Sequence, residues 1–269
     1  MNPMVRKELN LRMRERRGWI LPSLYLVILA AVITLAYYLT ALEGRGFEVR
    51  QVQGSEVGIA MFLTAAYAQM GILLLLAPIF SAGALTIEKE QRTMAGLLTS
   101  LLSPFQIWWG KFAASLLFVL LLIVSGLPML SVSFAFGGIG PWEVFMATIT
   151  TVIALGSLSA IGLYWSSVFR RSVHATAVTY ATIIALTLVT FIVFIIYVAA
   201  RHNADSWQSF AWYVKGPLYL NPVFFLTMSF APARELYPEW IRCLGVFVCL
   251  GLLATGMSLW NLRRGGEVV

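Results

Sequence analysis

The chain has 269 residues, a net charge of +7, 59% hydrophobic residues and only 12% charged ones. A soluble globular domain carries about 25% charged residues, so a soluble single-core body is excluded. The apolar residues fall in unbroken blocks longer than the roughly 18 that mark a membrane span.

The first element is Met4 to Arg17. Val5, Leu9 and Met13 recur at i, i+4 and i+8 among basic residues, and Glu8 stands four before Arg12. The spacing predicts a basic amphipathic helix in the membrane interface, or a plain basic flank that orients the first span. The apolar run that follows, Trp19 to Leu42, is too long for the core of a signal peptide.

Charge-free blocks cover 18–42, 57–87, 112–142, 144–169, 172–200 and 243–262. At 1.5 Å per residue each can cross a hydrocarbon core of about 30 Å. None shows strand alternation, and a helix satisfies its own backbone groups in lipid. The expected fold is all-α and polytopic. It has six transmembrane helices near 19–42, 57–82, 108–135, 143–168, 174–199 and 240–262, after an interfacial segment over 1–18 and before a tail over 263–269. Gln69 is the most polar mid-span side chain of the second span, read as an interhelical hydrogen bond or a residue of a pathway.

The loop at 84–107 separates the second and third spans. Met94, Leu97, Leu98, Leu101 and Leu102 lie on one helical face, Glu88 and Arg92 form an i, i+4 pair, and Pro104 is expected to stop the helix. A charged turn and a short amphipathic helix follow from this. The helix either rests on the membrane or docks a cytoplasmic partner and passes its motion into the flanking spans.

The segment at 200–239 is rich in aromatics and holds Pro217, Pro222 and Pro232. Its uninterrupted helical stretch, Val223 to Phe230, is too short to span. It reads as an aromatic belt, or as a broken hairpin dipping into the outer leaflet over a pathway. In the last block, Cys243 and Cys249 stand six apart, about 240° around a helix, so they cannot bridge within it.

With six spans, one side of the membrane holds thirteen basic residues and the other six. The bias places both termini in the cytoplasm. The positive charge is then a membrane rim facing anionic lipid, and no nucleic-acid partner is expected.

Catalytic patterns are missing. Gly110-Lys111 is followed by Phe112 and has Phe105 where a phosphate-binding loop needs glycine. No H-E-x-x-H occurs, and His174 and His202 are isolated, so no metal site is expected. Gly156-Ser157-Leu158-Ser159 lacks the last glycine of a serine elbow; an intramembrane protease using Ser159 is a distant alternative. The blocks hold essentially no ionisable residue to bind a coupling ion. Energy should then come from an attached ATPase subunit, and the alternative is a scaffold or assembly factor without transport.

The stretch Glu88-Lys89-Glu90-Gln91-Arg92-Thr93, then Leu97-Leu98-Thr99-Ser100, Ser103-Pro104 and Ile107-Trp108-Trp109-Gly110-Lys111, resembles the signature of ABC-2-type transporter permeases. So does the opening Asn2-Pro3-Met4-Val5-Arg6-Lys7-Glu8-Leu9. The sequence departs from that pattern at Arg92, where the family often has glycine, and at Ala95 or Gly96, where it often has glutamate.

The resemblance implies a permease subunit of an ABC exporter in a bacterial-type inner membrane. It would work as a homo- or heterodimer meeting through the first, second and fifth spans. Mg-ATP would sit on a separate subunit with a Walker A motif, and this chain would hold no cofactor. The resemblance also assigns roles. Glu88, Glu90, Arg92, Thr93, Leu97, Leu98, Leu101 and Pro104 would couple to the ATPase. Arg6, Lys7, Glu8, Leu9 and Arg12 would form an elbow helix. Asn221, Pro222, Phe224, Phe225 and Glu235 would belong to an external gate.

Overall fold

The computed structural model describes residues 17–43, 54–93, 103–200, 212–230 and 237–264. Their elements are α1 (Arg17–Glu43), α2 (Gly54–Ser81), α3 (Thr86–Glu90), α4 (Pro104–Ser131), a 3-10 turn (Val132–Phe136), α5 (Pro141–Val168), α6 (Ser172–Ile184), a π turn (Ala185–Val189), α7 (Thr190–Ala200), α8 (Trp212–Leu218), α9 (Pro222–Ser229) and α10 (Tyr237–Arg263). Among the described residues every element is helical. Six helical stretches are long and apolar enough to cross a membrane. They follow the six apolar blocks because block length alone sets that property.

The six do not share the core equally. In α2, α5 and α4, 61%, 50% and 44% of the most apolar stretch is buried, against 22%, 17% and 22% in α1, α6–α7 and α10. Phe62, Met70 and Leu73 of α2 meet Phe118 and Leu122 of α4 and Leu155 and Leu158 of α5 in one apolar core. The other three helices lie outside this triad. They leave Leu24 and Val27 of α1, Phe191 and Ile196 of α7, and Leu252 and Leu253 of α10 exposed.

Small residues let the inner helices approach. A Cβ on Gly162 of α5 would lie 2.2 Å from Ser81 Oγ at the end of α2, so only glycine permits this contact. Parallel to α5 runs α10. Trp240 Nε1 donates to Thr150 Oγ1 near their starts (2.9 Å) and Asn261 Nδ2 to Ser167 Oγ near their ends (3.3 Å).

The third span starts at Pro104 rather than near 108. Ser103 Oγ accepts from the Gln106 N–H (3.2 Å), and the Ser103 N–H donates to Gln106 Oε1 (3.0 Å). Pro104 takes the first helical position, where an N–H would have no partner in the helix. Pro104 thus opens α4; the helix it is expected to stop lies outside the described residues.

The fifth span is interrupted by its π turn. Thr187 Oγ1 bonds back to Ile183 O (2.8 Å) and Thr190 Oγ1 to Leu186 O (2.6 Å). Such turns free a carbonyl from the helical ladder, and Thr187 O takes an outside donor, the Nδ2 of Asn221 (3.0 Å).

Candidate functional site

The charged turn after α2 makes its bonds to other helices. Ser166 of α5, fully buried, accepts the N–H of Leu85 (2.9 Å) and of Thr86 (3.0 Å) on one hydroxyl oxygen. This fixes the start of α3. Three consecutive ionic side chains then diverge.

Glu88 Oε1 pairs with Lys111 Nζ of α4 at 2.9 Å, and its other oxygen accepts from the Thr93 hydroxyl. Lys89 Nζ donates to Ser166 O (3.3 Å), Ser167 O and Phe169 O (3.0 Å), the last carbonyls of α5. A cation there suits the negative end of the helix dipole. Glu90 Oε1 accepts the N–H of Ser172 (2.7 Å), the first residue of α6; an anion suits that end. The turn therefore ties α2 to α4, α5 and α6.

One expectation changes here: the i, i+4 pair of Glu88 with Arg92 gives way to the pair with Lys111. The helical part of the turn, α3, ends at Glu90. The Thr93 N–H bonds to Glu88 O (3.0 Å) and the Arg92 N–H to Lys89 O (3.2 Å), which closes the helix in a Schellman motif. Arg92 sits at φ +56°, the left-handed region, and among the described residues it alone does so without being glycine. Glycine, which the resemblance places before Thr93, would adopt that conformation without strain.

Lys111, one of the thirteen basic residues on the side expected to be cytoplasmic, is not solvated at a rim: it lies inside α4 at 4% exposure. A lysine seven residues past the true helix start needs a counter-charge, and Glu88 supplies it. Of the expected coupling residues, Glu88, Glu90, Arg92, Thr93 and Pro104 gather at this end. Leu97, Leu98 and Leu101 lie outside the described residues, as do the elbow residues Arg6, Lys7, Glu8, Leu9 and Arg12. Lys89, Lys111 and Ser166 were missed. The interruption of an apolar run by Lys111 was the readable signal for one of them.

At the far end of the bundle, α8 and α9 pack against spanning helices. Asn221 caps α9, its Oδ1 accepting from the N–H of Val223 (2.9 Å) and of Phe224 (3.2 Å). Its Nδ2 donates to Thr187 O and to Thr190 Oγ1 (2.9 Å) at the π turn. Pro222 opens α9. Fully buried Phe225 stacks on Phe247 of α10 at 5.1 Å between centroids. Phe224 lies 6.5 Å from the Tyr219 ring. The Thr227 hydroxyl bonds to that of Tyr67 on α2 (2.9 Å). Tyr219 donates to the buried carboxylate of Glu239. Glu235 lies outside the described residues.

Gln69 is buried at 3%, and its Oε1 has no hydrogen-bond partner among the described residues. It faces Gly126 of α4, next to the Tyr25 hydroxyl of α1, so the expected interhelical bond is not made by this atom. Ser159 Oγ likewise has no partner there, and His174 is exposed at the start of α6. A serine–histidine dyad is not assembled from these two residues.

Compared with known families, residues 3–228 match the model described as ABC-2 family transporter protein. No curated protein matches the chain.

Proposed function

Because the chain belongs to the ABC-2 transporter family, a family of membrane permeases, we propose that it is the permease subunit of an ABC exporter. It works as a dimer driven by a separate ATPase subunit on its cytoplasmic face. One observation carries the coupling part of this reading: the charged turn bonds to three other helices at once. A partner that shifts the turn pulls on α4, α5 and α6 together. The leucines that the sequence spaces for one helical face over 94–102 follow this turn in the chain, and such a face would suit a groove of the ATPase.

The basic residues support the orientation, since Arg170, Arg171, Arg263 and Arg264 accompany the turn. In this reading α8 and α9 form the external gate. Their depth supports it: Thr227 reaches Tyr67, thirteen residues into α2, or about 20 Å along the helix. Backbone that leaves the helix at such depth is tolerated against protein, and α9 is packed on α2, α5 and α10. The ATPase hydrolyses Mg-ATP, and this chain supplies the pathway.

The test is co-expression with a candidate ATPase bearing Walker A, followed by purification in mild detergent. The two chains should co-elute, and Leu97→Asp should abolish co-elution while insertion is unchanged. A folded six-span chain that co-elutes with no ATPase would favour the scaffold reading.

A further inference from the structure

A groove on the outer face of α10 borders the gate segment and takes no part in the coupling scheme. Arg242, Gly245, Cys249 and Leu253 line it at i, i+3, i+7 and i+11, and Tyr219 and Leu220 of the α8–α9 turn form its other wall. The cavity is about 500 Å³, within the roughly 300–1,000 Å³ of small-molecule sites. Below its mouth the α10 wall carries no ionic side chain as far as Leu253. A Cβ on Gly245 would meet nothing within 4 Å, so the glycine leaves the channel open.

The mouth is charged. The Arg242 side chain is 58% exposed, and its Nη1 donates to Glu239 Oε1 at 2.8 Å. Glu239 is buried and also holds the Tyr219 hydroxyl, so the carboxylate anchors the guanidinium in place. A guanidinium has five N–H groups in a fork that matches phosphate oxygens, leaving donors beyond the one on Glu239. Length decides the occupant. From Arg242 to Leu253 the groove runs about 16 Å, close to the roughly 15 Å of one leaflet's hydrocarbon.

We propose that this groove binds one phospholipid of net negative charge, its phosphate on Arg242 and an acyl chain lying along α10 to Leu253. The site rests on the membrane-spanning reading of α10 and needs no ATPase. A free anion does not fit it, because most of the site is an apolar channel.

Native mass spectrometry of the full chain tests it. The purified protein is offered equal amounts of phosphatidylglycerol and phosphatidylcholine with matched chains. The wild type should retain one lipid and favour phosphatidylglycerol by up to about fivefold, the worth of one unpaired basic residue at a membrane surface, less what Glu239 neutralises. Gly245→Leu should fill the channel and lose both lipids. Arg242→Gln should keep a lipid and lose the preference. If that variant is not monodisperse, added salt on the wild type should erode the preference instead. Equal lipid retention by wild type and Gly245→Leu, or a preference that survives the loss of Arg242 or added salt, overturns the proposal. Failed co-elution with an ATPase would leave this result unaffected, and failed lipid retention would leave the coupling scheme standing.

Discussion

At the charged turn, Glu88, Lys89 and Glu90 reach three different helices through ionic groups, whereas the α8–α9 segment is joined to the bundle by buried stacked rings, the Asn221 amide and the hydroxyls of Thr227 and Tyr219. The ionic contacts act at helix ends and at one buried pair, with sharp geometry and partners that can be exchanged. The ring contacts bury Phe225 against Phe247 over a broad area, which resists sliding but carries little directional information. An end that receives a push from a partner needs the first kind. A segment that must seal at membrane depth needs the second.

The largest effect should come from breaking the buried pair. Glu88→Ala removes the carboxylate 2.9 Å from buried Lys111 and should cost about 3–5 kcal/mol of stability. The double variant Glu88→Gln with Lys111→Met removes both charges and should cost less than Glu88→Ala. Denaturant melts of the three proteins in one detergent read this directly. A double variant no better than the single would mean the pair is not what makes the turn sensitive.

A smaller effect is expected at the other region. Asn221→Ala removes the cap of α9 and the link to the π turn, at about 2 kcal/mol. Hydrogen exchange should rise at the amides of Val223 and Phe224. If exchange there is unchanged, the rings alone hold α9 and the amide is dispensable.

The smallest effect has the opposite sign. Arg92→Gly relieves a left-handed conformation and should stabilise the turn by about 0.5–1 kcal/mol. If Arg92 reads the ATPase, association should weaken while the melting point rises. A loss of stability would show that the turn depends on the arginine side chain.

Much of this was legible in the sequence, for local reasons. Six spans follow from block length, and the break at α8–α9 follows from its prolines. The start of α4 was also written locally, as Ser103 and Gln106 three apart with Pro104 at the first helical position. What stayed hidden depends on partners distant in the chain. Lys111 is a rim charge or a buried one according to Glu88, and Ser166 matters only because the N–H groups of Leu85 and Thr86, about eighty residues earlier, converge on it. The π turn is set partly by Asn221 from outside its own helix. Among the candidate residues, the bonds of Glu88 to α4 and of Glu90 to α6 join positions 23 and 82 residues apart and had no signal in the local sequence.

In the proposed coupling, the ionic turn transmits motion from the ATPase and does more than hold the subunits together. The direct measurement is ATP hydrolysis by the ATPase alone, with the wild-type permease, and with the Glu88→Gln, Lys111→Met permease at equal occupancy. The double variant should still co-elute with the ATPase while the permease-dependent change in hydrolysis disappears. A double variant that co-elutes and alters hydrolysis as the wild type does would contradict it.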